Sequence, residues 1–99
     1  VIFTSGGTES NNLLLNGFAR SNENARIALS AIEHPSLLEP AQQLADAVDI
    51  VPVSENGDVE LLTLMSAITD KTSLISVMTA NNETGVIQDL APLIAFARR

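Results

Sequence analysis

Apolar runs of strand length alternate along this chain with longer segments whose apolar residues recur at helical spacing. Continuous apolar runs are typical of strands buried on both faces, and the helical spacing is typical of segments that cover a sheet. The pattern predicts an α/β fold, a mostly parallel sheet with helices on both faces. Strands are predicted at residues 1–4, 26–32, 49–53 and 73–78, with helices near 8–20, 37–45, 58–68 and 89–96.

Several side chains predict how these elements pack. Leu14 and Phe18 lie one helical turn apart and should face the sheet from the first helix. Pro52 lacks an amide donor, so the third strand should lie at an edge, whereas the strongly apolar fourth strand should be central. Asp58 and Asp89 should cap the third and fourth helices. The third helix should bury a stripe made of Leu61, Leu62, Met65 and Ile68.

The segment Gly6-Gly7-Thr8 joins the first predicted strand directly to the first predicted helix. Glycine has no Cβ, so the backbone can turn sharply and approach a ligand, while the first amides of the helix point toward it. The helix dipole adds about 0.3 to 1 kcal/mol for an exposed anion, so hydrogen bonds from Gly7, Thr8 and their neighbours would do most of the binding. The segment therefore indicates an anion site, although the same residues also suit an ordinary turn.

Two further polar segments follow predicted strands. His34 comes after the second strand, and Asn81-Asn82 come after the fourth. The carboxyl ends of parallel strands meet at one edge of the sheet, where α/β proteins bind ligands, so these residues should lie near the glycine-rich turn. Taken singly, His34 also suits a capping or packing role, and Asn82 suits a turn. Glu33 is expected at a helix start or on the surface.

Composition narrows the range of partners. The formal net charge is −7, and the 5 cationic side chains are dispersed along the sequence, so nucleic acid is not expected to bind. No apolar stretch approaches the roughly 20 residues that span a bilayer, and no membrane partner is expected. The absence of cysteine excludes disulfides and thiolate metal ligands within these residues. Because the chain begins inside a predicted strand and ends inside a predicted helix, we expect a fragment.

Three segments carry a resemblance to a known family. They are Ile2-Phe3-Thr4-Ser5-Gly6-Gly7-Thr8-Glu9-Ser10-Asn11-Asn12, Glu33-His34 and Asn81-Asn82-Glu83-Thr84-Gly85-Val86-Ile87-Gln88. Their order and spacing resemble the NifS-type cysteine desulfurases, which are pyridoxal-phosphate enzymes of the class V aminotransferase group. The resemblance covers essentially the whole chain, and the combination is far more specific than any one segment.

The resemblance implies a role for each candidate residue. Gly7 and Thr8 match the pair that binds the phosphate of pyridoxal 5'-phosphate, in agreement with the anion site inferred from the backbone. His34 matches the histidine stacked over the pyridine ring and is the catalytic candidate, and the chain has no Trp or Tyr to offer instead. Asn82 matches the asparagine that hydrogen-bonds the phenolic oxygen of the cofactor.

The resemblance also implies a reaction, the removal of sulfur from L-cysteine to give alanine and an enzyme persulfide for iron–sulfur cluster or thio-cofactor synthesis. It implies a cytoplasmic homodimer that passes sulfur to an acceptor or scaffold protein. The Schiff-base lysine, ring-nitrogen aspartate and reactive cysteine of the family have no match here, and Lys71 should lie at the opposite edge of the sheet. We therefore expect residues 1–99 to form part of the large cofactor domain, with no complete second domain, and to be inactive alone.

Three alternatives stay open at this point, the third being a non-catalytic remnant that keeps the fold and has lost the chemistry. Other class V enzymes, such as selenocysteine lyases and aminotransferases, share the fold, and their substrate groove lies largely outside these residues. The second alternative is a non-catalytic phosphate-binding module. Its commonest nucleotide-binding motifs, Gly-x-x-x-x-Gly-Lys-Ser/Thr and Gly-x-Gly-x-x-Gly, are absent from the sequence.

Overall fold

A computed structural model of the chain describes residues 1–21, 26–43 and 48–98. The sheet contains β1 (Arg26–Ser30), β2 (Val48–Val51) and β3 (Thr72–Ser76), which are parallel and lie in the order β2-β1-β3. The helices are α1 (Gly7–Ser21), α2 (Pro35–Gln42), α3 (Leu61–Ala67) and α4 (Ala91–Ala97). The predicted α/β fold is confirmed.

Strand β1 carries apolar side chains on both faces of the sheet, because successive residues of a strand point to opposite sides. One cluster joins β1 to α1 and α2 and is formed by Leu15, Ile27, Leu29 and Ala41. The other joins β1 to β2, α3 and α4 and includes Ala28, Val51, Leu64 and Leu93. Burying a leucine or isoleucine side chain fully contributes about 1.5 to 3 kcal/mol. The two clusters confirm the prediction of helices on both faces.

The first predicted strand, at residues 1–4, does not form. Phe3 is 94% exposed and Ile2 is 76% exposed. A strand exists only where a neighbour supplies the other half of the hydrogen-bond ladder, and none of the strand pairs or isolated bridges in the described residues involves residues 1–4. Helix α1 does form, and it begins at Gly7, inside the glycine-rich segment and one residue before the predicted start near Thr8.

The buried faces of two helices differ from the prediction. In α1, Leu15 is buried and Leu14 is 54% exposed, although Phe18 packs on the same cluster as expected. In α3, Leu64 is buried, whereas Leu62 and Met65 are exposed. Helices of this length have several apolar positions, and only the docking direction decides which of them faces the sheet.

None of the helices in the described residues is long and apolar enough to cross a membrane.

Neither predicted aspartate cap is present. Helix α3 begins after Glu60 and helix α4 begins after Leu90, and neither of these residues makes a side-chain cap hydrogen bond. The chain stays extended beyond Asp58 because the amide of Val59 donates to Oε1 of Gln88, at 2.8 Å, and Val59 itself is buried. The aspartate is therefore too far upstream to cap α3.

The sheet order confirms one strand placement and corrects another. Strand β2, which ends just before Pro52, is at the edge of the sheet, as the proline predicted. The fourth predicted strand is β3, and it pairs only with β1 in the described residues, so the central strand is β1. The burial of the two strands supports this order, because β3 is half-buried while four of the five residues in β1 are fully buried.

The second helix was also predicted to pack Leu44 and Ala45 against the sheet, and these two residues lie outside the described residues.

A salt bridge ties the start of β1 to the edge strand. Nε and Nη2 of Arg26 donate to the two carboxyl oxygens of Asp49, at 2.8 and 2.9 Å. These hydrogen bonds hold the pKa of Asp49 below its usual value, and the charge of Arg26 adds to them, while partial burial opposes the shift. The pair is partly exposed, so its contribution is small, about 0.5 to 1 kcal/mol.

We expect the Asp49→Asn variant of the full-length protein to be less stable than the wild type at pH 7, by about 0.5 to 1 kcal/mol. A carboxyl pKa that is lowered by folding stabilises the fold above the unfolded pKa of about 3.9, and the contribution is lost as pH falls through the folded pKa. The difference between the two proteins should therefore shrink in acid. Chemical denaturation across pH measures it, and Asp70→Asn, in an exposed turn, is the control. A difference that persisted unchanged into acid would contradict this assignment.

Candidate functional site

A cleft of about 520 Å³ opens beside the start of α1. It is lined by all four predicted site residues, Gly7, Thr8, His34 and Asn82. They come from three separate segments, the start of α1, the loop between β1 and α2, and the loop after β3. The structure thus brings together the residues that sequence reasoning placed at one edge of the sheet. Lys71 lies at the opposite edge, where its carbonyl accepts a hydrogen bond from the amide of Arg26 at the start of β1, as predicted.

The start of α1 offers free space and free donors. Apart from the adjacent residues and the backbone of the same helix, no atom lies within 4 Å of the position that a Cβ would occupy on Gly6 or Gly7, so the backbone is open to a ligand on this side. The first amides of a helix have no carbonyl of their own helix to bind. The carbonyl of Gly6 is held by hydrogen bonds from the hydroxyls of Thr4 and Ser10, both at 3.2 Å. These hydroxyls therefore fix the turn through the carbonyl of Gly6, while the first amides of α1 remain available to an anion.

His34 combines a capping role with a place in the cleft. It is the N-cap of α2, and its Nδ1 accepts from the amide of Ser36 at 3.1 Å. The hydroxyl of Ser36 lies 2.9 Å from the same nitrogen and accepts from Nδ2 of Asn11 at 2.7 Å. An amide can only donate, so Nδ1 is the acceptor nitrogen and the neutral ring carries its proton on Nε2. The capping role considered in the sequence thus orients the ring in the cleft.

The two adjacent asparagines have different surroundings. The side chain of Asn81 donates to the carbonyl of Ile32, at 3.0 Å, and accepts from the amides of Glu83 and Thr84, at 2.8 and 2.9 Å. The loop then reverses at Gly85, which has φ of 73° and donates to the carbonyl of Asn81. Asn82 is exposed, and its side-chain amide makes no hydrogen bond to any other residue that the structure describes. Asn81 therefore builds the loop, and Asn82 presents a free amide to the cleft.

Glu33 is the residue whose environment the sequence did not predict. It is only 5% exposed, rather than at a helix start or on the surface. Its carboxyl group accepts from the hydroxyls of Ser30 and Ser76 and from the amide of Met78, at 2.6 to 2.7 Å. The signal in the sequence was its place between a buried strand and His34, but nothing there distinguished a buried acceptor from a surface acid.

Gln88 is a second residue that sequence reasoning did not single out. It is 6% exposed, its amide nitrogen Nε2 donates to the carbonyl of Gly57 at 2.9 Å, and its Oε1 accepts from Val59. Its backbone amide donates to the carbonyl of Thr79 at 2.8 Å. Gln88 therefore joins the loop after β3 to the segment that contains Gly57 and Val59. No group of three His, Cys, Asp or Glu side chains in the described ranges is arranged to hold a metal ion.

Comparison with known sequences places this arrangement in a family. The model of the family described as Aminotransferase class-V matches residues 1–99. The cysteine desulfurase IscS of Rickettsia massiliae (strain Mtu5) is 44% identical over 103 residues, which covers 99% of this chain and 25% of that protein. The chain thus spans about a quarter of the length of the curated relatives that it matches.

Solved structures show the same similarity. DndA from Streptomyces lividans superposes with a TM-score of 0.87 and 43% sequence identity, over 98% of this chain and 29% of that one. SspA in complex with cysteine superposes with a TM-score of 0.83 and 29% identity, over 98% of this chain and 30% of that one. With a family model that matches every residue and relatives that align over nearly all of it, the chain belongs to the class V aminotransferase family.

Proposed function

We propose that this chain supplies part of the pyridoxal-phosphate site of a cysteine desulfurase. The observation that carries the proposal is the shared cleft, in which the start of α1, the ring of His34 and the free amide of Asn82 meet. Each of these groups suits a different part of the cofactor, which has a phosphate, a flat ring and a phenolic oxygen. Membership of the class V family and the similarity to cysteine desulfurase IscS support this choice of cofactor and reaction.

The phosphate would bind at the start of α1. Gly7 and Thr8 line the cleft, and the open space beside Gly6 and Gly7 lets the phosphate oxygens approach the backbone amides. The positive end of the helix dipole favours the same group. The hydroxyl of Thr8 can donate one further hydrogen bond, and a bond to a charged acceptor is worth about 1.5 to 3 kcal/mol.

The ring would lie against His34, with its phenolic oxygen near Asn82. The hydrogen bonds to Nδ1 leave the flat face of the imidazole and its Nε2 proton for the cleft. A histidine in this position can stack on a ring and can also move a proton at Nε2. The side-chain nitrogen of Asn82 can donate to the phenolic oxygen, which holds the tilt of the ring and tunes its electronics.

When bound, pyridoxal phosphate acts as an electron sink for the amino acid that is attached to it. The substrate that we propose is L-cysteine, and the names of two relatives, cysteine desulfurase IscS and SspA in complex with cysteine, support it. In this reaction His34 would orient the cofactor and exchange a proton at Nε2. The Schiff-base lysine, the aspartate that pairs with the ring nitrogen and the reactive cysteine would come from other parts of the full-length protein.

The assembly that we propose is a cytoplasmic homodimer that passes sulfur from its persulfide to an acceptor or to an iron–sulfur scaffold protein. This part of the proposal rests on the resemblance to NifS-type desulfurases. The exposed apolar side chains of Ile2 and Phe3 agree with a chain whose surface is covered by further protein in the complete molecule.

The cofactor site is tested by binding of pyridoxal phosphate to the cofactor-free, full-length protein, with pyridoxal and ATP as competitors. We expect pyridoxal phosphate to bind most tightly. The Thr8→Val variant should bind pyridoxal phosphate about tenfold to a hundredfold more weakly, because a hydrogen bond to a charged group is lost. Pyridoxal lacks the phosphate, so the variant should bind it as the wild type does.

The matched control is Thr63→Val, on α3 at the other face of the sheet. It should bind both compounds like the wild type. If Thr8→Val weakened pyridoxal and pyridoxal phosphate equally, Thr8 would not contact the phosphate. Tighter binding of ATP than of pyridoxal phosphate would favour the alternative of a nucleotide-binding module and would contradict the proposed function.

A further inference from the structure

We propose that Glu33 is a positioning residue, a buried acceptor that fixes the loop carrying Asn82 relative to His34. The inference rests on the proposed function, because its purpose is to set the shape of the cofactor cleft. Glu33 precedes His34 directly in the chain, yet its side chain turns away from solvent and is 5% exposed.

Glu33 joins the carboxyl ends of the two strands that flank the cleft. Its Oε2 accepts from the hydroxyl of Ser30, the last residue of β1, at 2.7 Å. Its Oε1 accepts from the hydroxyl of Ser76, the last residue of β3, at 2.6 Å. The carboxyl group therefore links the last residues of the paired strands β1 and β3, at the edge of the sheet where the cleft begins.

The same carboxyl group also holds the backbone beyond β3. The amide of Met78, which lines the cleft, donates to Oε2 at 2.6 Å. A few residues later the side chain of Asn81 donates to the carbonyl of Ile32, the residue just before Glu33. Two connections thus run between the segment around Glu33 and the loop that carries Asn82, so the position of Asn82 follows that of His34.

Stability alone is a weak explanation for this arrangement. Burying a carboxyl group requires hydrogen bonds to offset lost hydration, and apolar residues of similar volume often hold two strands at least as well. Within the described residues no Lys, Arg or His side chain makes a salt bridge to Glu33. Three directed hydrogen bonds fix the distance and the orientation between two loops, which apolar packing does not.

The test uses the full-length protein and four readouts. These are amide hydrogen exchange of residues 77–85 in the cofactor-free form, the Kd for pyridoxal phosphate, the kcat for L-cysteine and the KM for L-cysteine. We expect Glu33→Ala to speed exchange in this segment, to weaken cofactor binding about tenfold, and to lower kcat about tenfold with KM changed less than about twofold. Exchange in α3, which lies on the far side of the sheet, should not change.

The conservative variant Glu33→Gln should recover most of these losses. Its amide oxygen can accept from Met78 and Ser30, and its amide nitrogen can donate to Ser76 after the hydroxyl rotates. A glutamine variant as impaired as the alanine variant would overturn the inference, because shape and hydrogen bonding would then not suffice. The control for the charge change is Glu39→Gln, an exposed residue of α2 that should behave like the wild type.

If Glu33→Ala does not yield folded protein, Ser76→Ala decides the question. It removes one of the three donors and should weaken cofactor binding about threefold, with faster exchange in residues 77–85. The matched control is Ser73→Ala, an exposed serine on the same strand. Equal behaviour of the two serine variants would overturn the inference and leave the proposed function intact. A wild-type protein that bound no pyridoxal phosphate would overturn both.

Discussion

Replacement of His34 by alanine in the full-length protein is expected to lower kcat/KM for L-cysteine by at least about a hundredfold. The imidazole lies in the cleft with Nδ1 engaged by Ser36, so the variant removes both the flat surface that we propose to lie beside the cofactor ring and the proton on Nε2. We also expect a change in the visible absorbance of the bound cofactor, because the contact on one face of its ring is lost. Steady-state kinetics and absorbance spectra measure the two effects.

A second variant separates the two roles of His34. His34→Phe keeps a flat ring but has no nitrogen, so it should restore much of the cofactor affinity that His34→Ala loses while turnover stays low. Gln43→Ala, an exposed residue at the end of α2, is the control for changes in this helix. Unchanged spectra and turnover in His34→Ala would remove His34 from the site.

We expect the variants Asn81→Ala and Asn82→Ala to have different effects on stability and on turnover. Asn81→Ala should lower the free energy of unfolding by about 2 to 3 kcal/mol, because three side-chain hydrogen bonds are lost at about 1 kcal/mol each. Asn82→Ala should leave stability unchanged, since its side chain bonds no other described residue, but it should lower turnover about tenfold and alter the cofactor spectrum. Chemical denaturation of the cofactor-free protein and kinetics of the loaded protein measure these effects.

The contrast between the neighbours provides its own control, and Asn56→Ala, in an exposed turn on another loop, provides an external one. If Asn82→Ala destabilised the protein as much as Asn81→Ala, Asn82 would be part of the loop rather than of the site. If neither variant altered the spectrum, the cofactor would not lie near this loop.

The α/β fold could be predicted because hydrophobic spacing reports burial directly. Most residues of the runs that became β1, β2 and β3 are buried or half-buried, and Pro52 marked the edge strand because a missing amide is a local property. Other features depend on partners that a local pattern does not specify. Residues 1–4 have the composition of a strand but no neighbour to pair with in the described residues, and Leu15 rather than Leu14 faces the core because of how α1 docks.

The candidate site followed from topology, which brings the loops after parallel strands to one edge. That rule accounts for His34 and Asn82, which follow β1 and β3, whereas Gly7 and Thr8 reach the same cleft through the packing of α1 on β1 and α2, because residues 1–4 form no strand. It could not show how the loops are held. The buried state of Glu33 depends on hydroxyl and amide donors from β1 and from the end of β3, and donors that meet only in the folded chain leave no periodic signal in the sequence.

The strand order β2-β1-β3 also determines when this cleft can assemble. Strands β1 and β2 are close in the chain and can pair early, whereas Arg26 of β1 pairs with Thr72 of β3 only after the intervening segment has been made and folded back. Such distant pairing raises contact order and slows folding. Because Ser76, Met78 and Asn82 all arrive with or after β3, Glu33 stays without its later donors until that strand docks. The cleft is therefore complete only once β3 has paired with β1, so its assembly depends on the pairing of greater sequence separation in this sheet.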